Sequence, residues 1–259
     1  TIPMKCSNWT YQRNAYADSI MEHRYLVKRK LWAPQEGDWW NASTFIVGSI
    51  LFALGAVLPT LSRVPTQAIL FVYLIGSTLY LIGAIVQLVR GRHMAIHGAS
   101  GPLAARRLAN RNSLAAAIQV AGAIFFQISA TGDLLRFLSP THPDQVLWVP
   151  YLTGSICFVV ASAMFFSLRY PIQHRKGNPI SDRTLALLNI WGSLFFVASA
   201  IGIYAPALTG ESLYPKLANI GTFIGAILFL ISSVPGLPLR KPDRENNDTA
   251  GPRASNGEG

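Results

Sequence analysis

The sequence predicts an all-α membrane protein: six transmembrane helices arranged as three tandem, parallel-repeat helical hairpins. Three observations predict it. Six stretches of the chain carry no charged residue, Lys and Arg alternate between rich and poor in the segments around them, and one nine-residue pattern occurs once in each stretch.

The first observation sets the class. Of 259 residues, 51% are hydrophobic and only 13% are charged. No charge falls within 43–58, 67–89, 112–131, 145–168, 184–209 or 217–239. A hydrocarbon core of ~30 Å takes ~20 apolar residues as helix, and Gly is tolerated in such helices. The spans are placed near 43–62, 67–90, 113–135, 147–169, 184–206 and 216–235. Helices of a soluble bundle carry a polar face, and these stretches are nearly uncharged on every face.

In chain order, residues 1–41 form a polar N-terminal segment. Its "LVKRKLWAPQEGDWW" puts Trp32, Trp39 and Trp40 after a basic run, which suits an interfacial anchor. A short surface helix is expected over 15–32. The transmembrane domain follows over 42–236, as hairpins 42–90, 113–169 and 184–236. The tail, 237–259, is rich in Pro, Asn, Asp and Gly and is expected to be a disordered cytoplasmic segment. Cys6 and Cys157 give no disulfide framework.

The second observation sets the orientation. From the N-terminal segment through the five connections to the tail, the Lys and Arg counts run six, one, five, one, four, one and four. The positive-inside rule then places both termini in the cytoplasm, in a plasma or inner membrane. The net charge of +10 follows from this topology. It predicts anionic lipid headgroups as partners at the cytoplasmic face and no nucleic acid, because no basic patch has a fold of its own.

The third observation sets the packing. The copies are "GSILFALGA" from Gly48, "GSTLYLIGA" from Gly76, "GAIFFQISA" from Gly122, "GSICFVVAS" from Gly154, "GSLFFVASA" from Gly192 and "GAILFLISS" from Gly225. Position five is always aromatic: Phe52, Tyr80, Phe126, Phe158, Phe196 and Phe229. Positions one, five and eight share a helix face. Small residues let backbones approach where lipid supplies no drive for association. The aromatics are expected to meet as one central layer, and Gly221 with Gly225 to allow a tighter crossing.

The hairpin with G-S-x-x-[FY]-x-x-G in each arm resembles the YrhK-like membrane domain family. That resemblance implies small helical membrane units and no catalytic residues. Three hairpins also suggest the mitochondrial carrier plan, but its P-x-[DE]-x-x-[KR] signature is absent.

The candidate chemistry is sparse. His93 and His97 are four apart but have no Cys, Asp or Glu beside them, so they read as loop histidines and no metal or cofactor is expected. No nucleophile elbow, zincin or phosphate-loop motif is present. Three places before each motif glycine stand Phe45, Tyr73, Gln119, Tyr151, Asn189 and Thr222. Five of these six can hydrogen-bond, as interhelical glue or as the lining of a path. Asp133 and Arg136 lie at the end of the third span, where Arg snorkels and Asp meets water, although charges in a membrane are functional suspects by default.

The expectation is a non-enzymatic scaffold or accessory protein that binds lipids or other membrane proteins, including a homo-oligomer. The alternative is a small-solute transporter or channel. A pocket along the axis lined by Gln119, Asn189 and Tyr151 favours the alternative, and a dry interior favours the scaffold.

Overall fold

The computed structural model describes residues 31–61, 63–97, 103–138, 144–168, 181–204 and 212–238. The described residues are helical, with no strand among them. Six helices carry the fold: α1 Gly37–Val57, α2 Thr66–His97, α3 Leu103–Leu138, α4 Asp144–Leu168, α5 Asp182–Ile203 and α6 Pro215–Ser233. All six are long and apolar enough to cross a membrane. The chain is a multi-pass membrane protein. Cys6, most of the expected surface helix over 15–32 and all but the first two residues of the expected tail lie outside the described residues.

The helix ends differ from expectation in two places, each for a local reason. α2 and α3 run through most of what reads as a basic loop between 90 and 113. Ala and Arg dominate there, both good helix formers, and the breakers Gly98, Gly101 and Pro102 are concentrated in the middle. His93 and His97 therefore belong to α2 rather than to a loop. At the other end, α1 starts at Gly37, inside the expected N-terminal segment. Trp39 is consequently a packing residue: it is buried with Ala33, Ala42 and Leu237, and its indole N–H donates to the Leu31 carbonyl at 2.8 Å. Trp32 and Trp40 stay exposed, as an interfacial anchor requires. Leu237, expected to open the disordered tail, is held in the same cluster.

Each helix packs on its neighbours in the chain, and α6 closes on α1. The result is a closed circle of six helices. The motif decides which face turns inward. Positions one and five are buried in all six copies, and so is position two: Ser49, Ser77, Ala123, Ser155, Ser193 and Ala226 are fully enclosed. The inward face is thus wider than the stripe of positions one, five and eight. Positions three and seven mostly point outward, where Ile50, Leu54, Ile124, Ile128, Ile156 and Val160 are exposed, although Ile227 packs partly against the core. Small residues and rings inside with branched aliphatics outside reverse the pattern of a soluble core, and lipid is the medium that suits the outer face.

The motif glycines pair off within hairpins. A β-carbon at Gly48 would lie 3.2 Å from the Gly76 carbonyl; at Gly154, 2.9 Å from the Gly122 carbonyl; at Gly225, 2.9 Å from the Gly192 carbonyl. Gly221 lets α6 approach α5 closer still, since a β-carbon there would meet the Phe195 carbonyl at 2.7 Å. The expected tight crossing at Gly221 and Gly225 is present, between α5 and α6.

All six motif rings are buried and meet at mid-height. Within hairpins, Phe52–Tyr80, Phe126–Phe158 and Phe196–Phe229 have centroids 5.3, 5.2 and 5.7 Å apart. Phe52, Phe126 and Phe196, from the odd helices, form a triangle with sides of 6.2, 5.6 and 5.8 Å. Tyr80, Phe158 and Phe229, from the even helices, form a second with sides of 6.2, 6.1 and 5.9 Å. Most contacts are edge-to-face, the arrangement that the ring quadrupole prefers. Tyr80 is the one phenol of the set, and its hydroxyl finds the Ser49 hydroxyl at 2.7 Å.

Candidate functional site

The aromatic layer divides the interior into two cavities. One opens toward the hairpin turns and is here the tip cavity. The other opens toward the ends that link one hairpin to the next and is the base cavity.

The tip cavity has a volume of about 310 Å³. Phe52 and Phe126 of the layer form its floor, Tyr73, Trp148 and Tyr151 its walls, and Asp133, Arg136 and Asn219 line it further out. Trp148 is held by a local device at the end of α5. The cap amide of Tyr204 turns to the Ile201 carbonyl, and the Ala200 carbonyl accepts the Trp148 indole N–H at 2.7 Å. The Tyr204 ring then meets the Trp148 ring edge-on at 4.8 Å. The Tyr151 hydroxyl reaches Ser199 at 3.2 Å and Thr222 at 3.4 Å, and those two bond each other at 2.7 Å. Three helices are tied together there.

Asp133 and Arg136 are one turn apart near the end of α3, and both line this cavity. Asp133 is exposed and Arg136 half-buried. The guanidinium charge acts on the Asp133 carboxylate. Arg136 also suits the last turn of α3, where a cation complements the helix dipole.

The base cavity is smaller, about 180 Å³, and is lined by Asp38, Asn41, Gln87, Gln119, Asp182 and Asn189 among others. Asn189 accepts from the Ser232 hydroxyl at 2.5 Å. Arg90 of α2 donates to Asp38 of α1 as an ion pair. The Asn41 side-chain oxygen is buried without a hydrogen-bond partner. Asn41 therefore lies inside α1 at a cavity wall.

These positions correct the expected lining. Gln119, Asn189 and Tyr151 do not share a path: Tyr151 belongs to the tip cavity and the other two to the base cavity. Helix direction is the reason. The position three before the glycine falls on the tip side in even helices, giving Tyr73, Tyr151 and Thr222. It falls on the base side in odd helices, giving Phe45, Gln119 and Asn189. The void left among the rings is about 10 Å³, at or below the ~10–15 Å³ that one water needs.

Sequence reasoning missed several members of these sites. Trp148 and Asn219 carry no pattern that marks them. Asp38 lies before the span expected near 43–62 and belongs to α1, which starts at Gly37. Outside both cavities, Gln127 at motif position six accepts from the Ser77 hydroxyl at 2.8 Å and so joins the first hairpin to the second. Among the described residues, no group of three His, Cys, Asp or Glu is placed to hold a metal.

No protein-family model, curated protein or solved structure matches the chain.

Proposed function

We propose that the chain is a non-enzymatic small-solute transporter, built from three tandem YrhK-like hairpins with both termini in the cytoplasm. The observation that carries this reading is the pair of cavities facing each other across one layer of rings, each with charged side chains in its lining. A protein that serves only as a membrane scaffold has no use for a cavity on each side of its core. A transporter needs a site reachable from either side and a barrier between the two. The layer is that barrier. The third hairpin joins the others through thinner seams, α4 with α5 and α6 with α1. Both cavities have walls on that hairpin, so a shift of it changes the access of each.

The tandem repeat is supported by the three glycine pairs and by the two ring triangles, which relate the hairpins by a threefold pattern. The cytoplasmic placement of the termini rests on the Lys and Arg alternation. The base side then faces the cytoplasm, where its arginines meet anionic lipid at ~1 kcal/mol each. Labelling of single cysteines from outside tests this. Substitutions at Ser139 and Gly210 are expected to react and those at Ala99 and Gly177 to stay protected; the reverse result inverts the topology.

A second reading is the scaffold or accessory protein, alone or as a homo-oligomer, and the closed aromatic layer favours it. Reconstitution separates the two. Liposomes carrying the protein are loaded with a panel of small labelled solutes and efflux is followed. The transporter reading expects saturable efflux of at least one solute class and no general leak. Efflux equal to that of empty liposomes for every class leaves the scaffold.

A further inference from the structure

We propose that the tip cavity binds a small zwitterion, its ammonium group beside Asp133 among aromatic rings and its acid group facing Arg136. This inference rests on the solute-carrying reading above and names the substrate class of that site.

Four features lead to it. The first is size. About 310 Å³ corresponds to roughly ten waters at ~30 Å³ each and lies at the small end of ligand pockets. The second is charge. Among the described residues that line it, the cavity carries one carboxylate and one guanidinium. A cation answers only the carboxylate, an anion only the guanidinium and an uncharged ligand neither. A zwitterion answers both. The third is spacing. Residues i and i+3 on a helix have β-carbons ~5–6 Å apart. The two charges of the ligand are therefore close together, as in an amino acid or an aminoalkyl phosphate. The fourth is the wall. Tyr73, Trp148 and Tyr151 present π-faces or edges to the same space, and such rings attract an ammonium. The planar guanidinium of Arg136 matches a carboxylate or phosphate with two parallel bonds.

The base cavity is a built-in contrast. Its Asp38 is already paired with Arg90 across two helices. There the opposite charges brace the bundle, whereas in the tip cavity both belong to one helix and line the space itself.

The test uses the full chain in detergent and in nanodiscs. Alanine and ethanolamine phosphate are the zwitterionic probes. Ethylamine, acetate and glycerol supply the cation, the anion and neither charge. The zwitterions are expected to raise the melting temperature saturably, and the other three to leave it unchanged at equal concentration. Asp133→Asn and Arg136→Gln are each expected to weaken alanine binding at least tenfold, and Asp133→Glu to retain most of it. The unliganded melting temperature of each variant reports on folding, and either charge-removing variant suffices if the other fails to fold. Nanodiscs of phosphatidylethanolamine against phosphatidylglycerol separate the sources: competition with alanine in the former alone identifies a lipid headgroup, and none identifies a free solute. Glycerol or ethylamine binding as well as alanine overturns the zwitterion while the solute reading stands. No binding and no efflux of any probe overturns both.

Discussion

The two cavities occupy equivalent places in the motif and differ in chemistry. Both are walled by residues three places before a motif glycine, and both end on the same layer of rings. Toward the tips this position supplies Tyr73, Tyr151 and Thr222. Toward the base it supplies Phe45, Gln119 and Asn189. One side is phenolic and carries Asp133 and Arg136; the other is rich in amides and carries Asp38 and Asp182. The difference teaches that the motif fixes depth, while helix direction fixes side. A single sequence position can therefore serve two compartments, and each can be altered without touching the other.

The strongest way to break that separation is to remove a ring. Phe196 is 2% exposed and meets Phe52, Phe126 and Phe229. Phe196→Ala is expected to destabilise the protein by ~3–5 kcal/mol if the cavity does not collapse, and to make liposomes leak small solutes by joining the two spaces. Thermal unfolding in detergent and an efflux assay measure the two effects. A loss well under ~1 kcal/mol with no leak would mean that the layer is not the barrier.

A smaller effect follows from the backbone crossings that hold the layer in register. At Gly221 a β-carbon would meet the Phe195 carbonyl at 2.7 Å and the Ser199 amide nitrogen at 2.9 Å. At Gly37 it would meet the Arg90 side chain at 3.4 Å, which is ordinary contact with a flexible group. Gly221→Ala is expected to lose ~1–3 kcal/mol through forced separation of α5 and α6. Gly37→Ala is expected to change stability by less than ~0.5 kcal/mol, as surface substitutions do. Gly154→Leu against Leu152→Ile repeats the contrast in the second hairpin. Equal melting temperatures within either pair would refute the close approach.

Those crossings were legible in the sequence, and so were the six spans, the ring layer and the tight pair at Gly221. Each rests on local order along one helix, which spacing records directly. The cavities were not legible. The spacing put Tyr151 and Asn189 on the motif face of their helices and said nothing of which side of the rings they fall on. That needs the direction of each helix relative to the layer, a property of the assembled bundle. Trp148 is placed by a carbonyl of another helix, Ala200, and no pattern around Trp148 announces it. The starts and stops of α1, α2 and α3 were missed for a different reason: lipid-spanning length was read as helix length, and helix propensity carries the chain past the membrane.

The independence of the two cavities can be measured with hydrogen bonds. Tyr151→Phe removes contacts to Ser199 and Thr222, and Asn189→Leu removes the contact to Ser232. Interhelical bonds in membranes average ~0.6 kcal/mol and reach ~1.7 kcal/mol, so each variant is expected to lose about that range. The two sites share no partner and lie on opposite sides of the layer. The double variant is therefore expected to equal the sum within ~0.3–0.5 kcal/mol. A larger coupling energy would show that the layer transmits strain between the cavities.

The smallest effect belongs to the ion pair of the base side. Asp38 and Arg90 come from the start of α1 and the end of α2, with side chains 33% and 35% exposed. Partial exposure lets water and salt screen the attraction, and pairs of this kind contribute ~0.2–1 kcal/mol. Arg90 stacks its stem over Gly37, so truncating it would also remove packing. The clean measurement is a double-mutant cycle of Asp38→Asn and Arg90→Gln, which removes both charges and keeps the aliphatic stem of each side chain. The coupling energy is expected to fall within that range at low salt and to shrink as ionic strength rises, because the Debye length drops to ~8 Å at 0.15 M and ~3 Å at 1 M. The corresponding cycle of Asp133→Asn and Arg136→Gln sharpens the comparison between the cavities. Its coupling is expected to change when alanine is added, since a ligand that meets both charges alters what each one feels. The base pair is expected to be indifferent to alanine. Equal response of the two cycles would mean that the cavities do not differ in what they hold.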